Sequence, residues 1–334
     1  MEPVSIREVA ALAGVSPGTV SNVLNRPEKV AASTRERVER AVRELGFVRH
    51  GSASSLRAGH TRTIGLSVID IGNPFFTDIA AGVEETASEL GYAVILSSSA
   101  GDRSKEERNL LVLAEQRVRG VLITPCGEDT AALDRVRERG INVVLIGRPA
   151  LRPDQCSVTV NDVTGGFLAV THLLERGARR IAYVSGPLTI PQCQDRLEGA
   201  RRAVRQAGLD PAATLSELTM PAMNARSGQQ AAEKLLASLP DAVFCANDLL
   251  ALGLLRVLLQ AGVRVPGDVA LIGYNDIEFA AASAVSLSSV RQATHRLGRI
   301  ATQLLLDECD NPGGHAHQQI TFQPELVVRE STGS

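Results

Sequence analysis

Residues 4–25 read VSIREVAALAGVSPGTVSNVLN, and the order of caps, apolar residues and glycine in this stretch decides what the front of the chain is. Ser5 through Glu8 is a capping box, a serine able to accept from first-turn amides with a glutamate three residues on. From there Ile6, Val9, Ala10 and Ala13 share one helical face. Gly14 interrupts where a turn between two helices needs a positive φ. Ser16 offers a second cap, Pro17 falls at a first helical position where its missing N–H costs nothing, and Thr19, Val20, Val23 and Leu24 continue as a second short helix. Ala10 is small enough for the helices to cross closely while Val9, Val15, Val20 and Val23 fill the space between them, which is the spacing of a helix-turn-helix. An ordinary αα-hairpin uses the same glycine and the same apolar faces, so spacing alone leaves both readings open.

Working outward, Ser33 through Glu36 reads as another capping box. It predicts a third helix through Val38, Ala41, Val42 and Leu45 to a stop at Gly46. Residues 1–46 are thus a small all-α head that can offer its second helix to a major groove. Residues 47–62 are short on large apolar side chains and read as a hinge. Residues 63–334 alternate strand-like apolar runs with amphipathic stretches. The expected strands are Thr63–Ile69, Tyr92–Ser97, Gly120–Thr124 and Asn142–Ile146, then Arg180–Val184, Leu215–Thr219, Ala242–Ala246 and Val269–Tyr274. Glycines at 91, 140, 177, 208 and 262 stand where helices between them should end.

Two such sets predict two doubly wound parallel-sheet lobes of an α/β body. Ligands bind such sheets at the carboxyl ends of strands, here in a cleft between the lobes. Just past the strands stand Asn73, Phe75, Phe76, Asp102, Arg148, Asn247, Asn275 and Asp276. Planar amides, carboxylates and an arginine suit adjacent hydroxyls, and aromatic faces suit the apolar side of a sugar ring. Asn and Asp after strands are also ordinary turn and cap residues.

Through Arg62 there are ten basic residues against six acidic ones, a balance of +4. The net charge of −2 then leaves −6 for the remainder, which fits a polyanion-binding head on an acidic body. Met1 to Arg7 carry no signal-like apolar core and no apolar run is long enough to span a bilayer, so the expected location is the cytoplasm, without membrane contact. Cys126, Cys156, Cys193, Cys245 and Cys309 are scattered, with no C-x-x-C and no histidine nearby in sequence. They read as buried small hydrophobes in a reducing compartment, with no disulfide framework and no metal site. His315 and His317 flank Ala316 in a Gly-rich loop and read as an exposed pair. Phosphate-loop and metalloprotease motifs are absent, so neither catalysis nor a cofactor is expected.

The segments Val4 to Ser16, Thr19 to Ser21, Val23 to Asn25 and Thr34 to Val38 resemble the head of the lac-repressor (LacI/GalR) family of bacterial transcription regulators. Further segments resemble its periplasmic-binding-protein-type sensor: Gly72 to Phe76, Ile146 to Arg148, Val160 to Asp162, Asp195 to Gly199, Ala246 to Gly253 and Gly273 to Asp276. The resemblance covers almost the whole chain. It implies a repressor binding a near-palindromic operator in double-stranded DNA as a homodimer, and responding to a small, sugar-like effector. Pro17, Gly18 and Asn22 would read base edges, and Asn22 could pair bidentately with an adenine. Ser5, Ser16, Thr19, Ser21, Asn25 and Thr34 would hold phosphates, although capping explains several of them equally well. In the hinge, Ala53 and Leu56 match a DNA-ordered helix whose leucine wedges between base pairs. The effector contacts implied are Asn73, Phe76, Arg148, Arg196, Asn247 and Asn275, with Phe75, Asp102, Gln192 and Asp276 as second choices. One lobe would comprise about 63–160 plus 291–322 and the other about 161–290 plus 323–334. Three departures stand out. The usual Pro-Asn before the hinge helix is replaced by Arg49 and His50. Asn275 stands where sugar sensors carry aspartate. Residues 285–289, VSLSS, replace Pro-x-Leu-Thr-Thr, which leaves that loop's conformation open. No heptads follow the strand-like 325–328, so no tetramer through a terminal zipper is expected. A plain carbohydrate-binding protein or a sugar-processing α/β enzyme are the alternatives. The first predicts a signal peptide and no helix-turn-helix, the second turnover in the cleft.

Overall fold

In the head, the Ser5 box forms as its spacing predicts. The Ser5 N–H donates to Glu8 Oε2 at 2.7 Å and the Glu8 N–H donates back to Ser5 Oγ at 3.4 Å, opening α1 (Ile6–Ala13). Gly14 ends α1 with φ +64°, a left-handed turn that a side chain would strain. Ser16 Oγ then accepts the Thr19 N–H at 3.1 Å and starts α2 (Pro17–Asn25). The computed structural model describes residues 4–47, 61–127, 131–150 and 152–333, apart from the Asn25 side chain. The helix expected around Ala53 and Leu56 in the hinge lies outside the described residues.

The third helix departs from expectation. α3 (Ala32–Leu45) begins a residue before Ser33, and its N-cap is Ala31 with no side-chain hydrogen bond. Ser33 lies inside the first turn, and the Ala31 carbonyl accepts the Thr34 and Arg35 amides at 3.0 Å each. A short 3-10 turn at Pro27–Lys29, unread in the sequence, leads into it. Val9, Ala10, Ala13, Val20, Val23, Val38 and Ala41 are buried together between the three helices, with Val15 at their margin.

The chain divides into two compact units, Met1–Thr61 and Arg62–Ser334. The second holds two six-stranded sheets. The first contains β1 (Thr63–Val68), β2 (Ala93–Ser98), β3 (Gly120–Ile123), β4 (Asn142–Ile146) and β5 (Ser157–Val160), connected through α4 (Pro74–Glu89), α5 (Arg103–Glu115) and α6 (Ala131–Glu138). After α7 (Asp162–Glu175) the second sheet follows with β6 (Ile181–Ser185), β7 (Leu215–Thr219), β8 (Ala242–Cys245), β9 (Ala270–Asn275) and β10 (Ser288–Arg291). Its longer connecting helices are α8 (Pro191–Gln206), α9 (Ala225–Leu235) and α10 (Asp248–Gln260). The chain returns through α11 (Thr294–Asp310) to β11 (Gln319–Phe322) in the first sheet and ends on β12 (Glu325–Val327) in the second. It therefore passes between the sheets three times, at Asn161, at Gln292 and at residues 323–324. The first sheet is parallel throughout in the order β11-β5-β4-β3-β1-β2. The second, β12-β10-β9-β8-β6-β7, is parallel except at β12.

Both faces of the first sheet are covered, and its strands alternate between two cores. Leu122 and Val144 pack with Ile79 and Leu305 on one side, while Val121, Ile123, Val143 and Leu145 pack with Leu113 and Leu133 on the other. The second sheet is buried against Val170, Leu197, Leu254 and Leu258. β5, β10 and β11 went unread in the sequence because each is a four-residue run with two or three polar positions. β10 also settles residues 285–289. Ser288 Oγ meets Thr332 Oγ1 at 2.7 Å and Ser289 Oγ donates to Asp248 Oδ1 at 2.7 Å, so the serines supply hydroxyl partners at the strand.

Candidate DNA-reading helix and interlobe cleft

On α2 the apolar side holds Val20 and Val23 in the core, while Pro17, Gly18 and Asn22 are exposed. Ser16 is bound to Thr19 through its amide and, at 2.9 Å, its hydroxyl. Ser5 is committed to its box with Glu8. Thr34 and Ser21 are half-buried, and Asn25 closes the helix. Gly18 has no positive φ, and a Cβ there would meet nothing nearer than Ser16 Oγ at 3.6 Å, an ordinary contact. The head's own packing therefore gives no reason for a glycine in the first turn of α2. A surface that must approach another backbone closely does give one.

In the body, the carboxyl ends of both sheets carry the expected polar residues, and these divide by what their side chains already hold. Asn73, Asp102 and Asn247 cap helices. Asn73 Oδ1 accepts the Phe75 amide at 3.1 Å, Asp102 Oδ1 the Ser104 amide at 2.7 Å, and Asn247 Oδ1 the Leu250 amide at 2.9 Å. Asn247 also donates to the Met223 carbonyl at 2.9 Å, and Asp102 is exposed. Phe75 and Phe76 meet edge to face, centroids 5.0 Å apart, with Phe76 mostly in the core. Arg148 donates to the Gly127 carbonyl of its own sheet's loops. Beside it, Gln192 at the start of α8 donates to the Gly147 carbonyl at 2.7 Å, so the rims of the two sheets touch there.

The rest form one buried chain of polar groups. Asn275 Nδ2 donates to Gln292 Oε1 at 2.9 Å, and Gln292 Nε2 reaches Asp162 Oδ1 at 3.4 Å. Asp162 Oδ1 accepts Arg196 Nε at 2.8 Å, and Arg196 Nη1 donates to the Ala246 carbonyl at 2.5 Å. The Arg196 guanidinium lies over the Tyr274 ring, 3.7 Å from its centroid. Burial is the largest single influence and works against its charge, but Asp162 together with Tyr274, Cys193 and Tyr183 outweighs it and holds the pKa above the ordinary value. Space for this group comes from adjacent glycines on α7: a Cβ at Gly165 would sit 2.0 Å from the Tyr274 hydroxyl, and one at Gly166 would sit 2.0 Å from the Arg196 carbonyl. Asn275 and Asp276 have φ of +104° and +54°, consecutive left-handed residues at the end of β9. Asn and Asp tolerate that region better than other side chains, and such strain concentrates at functional sites. Under the network, Asp248 accepts from Ser289 and from the Ile277 amide at 2.9 Å, and burial pushes its pKa up to about 7.

Asp276 faces two arginines. Its carboxylate lies 2.7 Å from Arg291 Nε and 2.6 Å from Arg329 Nη1. Asp162, Tyr274 and Gln292 were missed as site residues. Asp162 and Tyr274 stand in segments already singled out by resemblance, whereas nothing in the sequence around Gln292 signals its position. The cysteines differ from the expected buried, isolated set at two points. All five are free, and Cys126, unlike the others, is only half-buried. Cys156 is not remote from histidine: its Sγ lies 3.2 Å from His315 Nε2 and 3.8 Å from His317 Nδ1. The His315 side chain is only 2% exposed, so the two are not both a surface pair.

A helical head with an exposed reading face, joined in one chain to a two-sheet body with polar strand ends, is the build of a ligand-responsive DNA-binding regulator. Residues 5–50 match bacterial regulatory proteins of the lacI family, and residues 170–332 match a periplasmic binding protein-like domain. The chain is 34% identical over 333 residues to the HTH-type transcriptional repressor PurR of Vibrio vulnificus (strain CMCP6), with 98% of each covered. Among solved structures, it is similar over the full length of both chains to the lac repressor dimer bound to operator and the anti-inducer ONPF, with a TM-score of 0.85 and 27% identity. The transcriptional regulator CelR in complex with cellobiose matches with a TM-score of 0.72 and 35% identity, covering 98% of this chain and 99% of that one. The chain belongs to the lac-repressor family, a family of transcription regulators and not of enzymes. Among the described residues no helix is long and apolar enough to cross a membrane.

Proposed function

We propose that this chain represses transcription in the cytoplasm as a homodimer on a near-palindromic operator, and that a sugar-like effector in the interlobe cleft changes its affinity for DNA. The observation that carries the DNA half is the exposed face of α2, where Gly18 occupies a position the head's packing leaves open. Pro17, Gly18 and Asn22 read base edges. Ser5, Ser16, Thr19, Ser21, Asn25 and Thr34 meet phosphates, and the Ala53–Leu56 segment enters the minor groove. The effector contacts are Asn73, Phe76, Arg148, Arg196, Asn247 and Asn275, with Phe75, Asp102, Gln192 and Asp276 at the margin. Asn275 can both donate and accept, which admits a hydroxyl pattern an aspartate would refuse. The lobes move as bodies bounded near residues 160, 291 and 322, and a shift in their angle changes the spacing of the two heads.

The test is binding of short duplexes from the chain's own upstream region, with a salt titration and with Gly18→Ala, Asn22→Ala and Leu56→Ala variants. Expected are preference for a palindrome and a steep fall in affinity with salt. Gly18→Ala should leave the head folded and at least as heat-stable while weakening operator binding at least tenfold. Asn22→Ala should relax preference at one base position. If Gly18→Ala and Asn22→Ala both bind operator as tightly as the parent chain, α2 is not the reading element.

A further inference from the structure

Away from the cleft, at the amino-terminal edge of the first sheet, four metal-ligating side chains converge. Cys156 immediately precedes β5, His315 and His317 lie just before β11, and Glu308 is in the last turn of α11. One donor atom from each, the Cys156 sulfur, an imidazole nitrogen from each histidine and a Glu308 oxygen, lie within 4.8 Å of one another. We propose that these four side chains bind one divalent transition-metal ion, Zn2+ by the chemistry of the donors.

Three independent features point to a ligand. The first is spacing. Tetrahedral zinc with Zn–S of about 2.3 Å and Zn–N of about 2.0 Å places sulfur and nitrogen roughly 3.5 Å apart. Cys156 Sγ lies 3.2 Å and 3.8 Å from the two histidine nitrogens. The second is the outer shell. His315 Nδ1 lies 2.6 Å from Asp307 Oδ2, which leaves Nε2 as the ring nitrogen facing Cys156. A carboxylate behind a metal-ligating histidine fixes the ring in this way. The Gln318 amide donates to Cys156 Sγ at 3.3 Å, leaving the sulfur's other directions to the cluster. The third is an orphan: Glu308 Oε2 is buried and has no hydrogen-bond partner among the described residues. A buried carboxylate oxygen without a partner is costly, and a cation among the donors removes that cost.

The donor set also selects the ion. Thiolate and imidazole favour borderline-soft zinc over Ca2+ or Mg2+, which take oxygen ligands. Four protein donors close a tetrahedron and leave no open position, as in structural sites and unlike catalytic ones. Such an ion ties β11, the edge strand delivered by the last helix, to β5 and to the end of α11.

The test is metal binding by the full chain after chelation, using Zn2+ alone for stoichiometry and affinity and Co2+ as a spectroscopic probe. Expected are one equivalent of Zn2+ per chain with sub-micromolar affinity, a thiolate-to-cobalt charge-transfer band, and a rise in melting temperature on adding Zn2+. Cys156→Ser should abolish the charge-transfer band. His317→Ala, at an exposed position that leaves the fold intact, should weaken Zn2+ at least tenfold and remove the thermal shift. Asp307→Asn should weaken it less. Failure of the parent chain to take up one equivalent of Zn2+ at micromolar concentration overturns the proposal, as does equal binding by parent, His317→Ala and Glu308→Gln.

Discussion

The two sheets of the body are built by the same rules, yet the polar residues at their carboxyl ends are held differently. In the first sheet Asn73 and Asp102 cap the helices that follow them and Arg148 rests on a nearby carbonyl, each making local contacts within its own loops. In the second, Asn275, Asp162 and Arg196 come from three separate elements and are joined through Gln292, which itself sits on the passage back to the first sheet. One rim is a row of independent parts and the other a single connected unit. The first can change a side chain with little effect on the fold. The second cannot lose a member without leaving another buried and unpaired.

That contrast is open to direct attack. The largest effect is expected from Arg196→Met, which leaves Asp162 buried without its cation. Denaturant unfolding of the body should show a loss of about 3–5 kcal/mol. Arg148→Met, half-buried and held by one carbonyl, should cost about 1 kcal/mol or less. If the two losses are equal, the rims do not differ as described. Next comes Asp248 below the second rim. Burial raises its folded-state pKa above the unfolded value, so its stabilising contribution is full below about pH 4 and is lost as pH rises through about 7. Melting temperatures across that window should fall less steeply in Asp248→Asn than in the parent chain. Smaller again is the pair of caps. Asn247→Ala, which also releases the Met223 carbonyl, should destabilise by about 1–2 kcal/mol, and the exposed Asp102→Ala by about 0.5–1 kcal/mol. Gln192→Ala should change stability least of all and be visible only as altered effector affinity, since its bond to Gly147 is a single contact between rims.

Much of this was readable from residue order alone, because the elements involved depend on local chemistry. The Ser5 box, Gly14 turn and Pro17 start specify α1 and α2 within a dozen residues. The glycines at 91, 140, 177, 208 and 262 all have positive φ at helix ends, as C-terminal caps require. What was not legible depends on partners distant in the chain. α3 starts at Ala32, where the Ala31 carbonyl accepts the Thr34 and Arg35 amides and no side chain caps the first turn. β5 and β11 are too short and polar to signal alone and exist because they pair with each other, Ser157 opposite Gln319. Gln292 joins the cleft through contacts 17 and 130 residues away, and Cys156 meets His315 across 159. Asn73, Asp102 and Asn247 show the converse: their placement after strands was readable, and the capping role that competes with ligand binding is real for all three.

The central claim is that the DNA-reading head and the cleft are two ends of one coupled equilibrium. Its most direct test is to measure the affinity of the full chain for operator DNA with and without a ligand found by screening sugars and purines, and the ligand's affinity with and without operator. Linkage requires the two factors to be equal. The account predicts a shared factor of at least tenfold, abolished in a folded Arg148 variant that no longer binds the ligand. A ligand that occupies the cleft with the same affinity on free and operator-bound protein would contradict it.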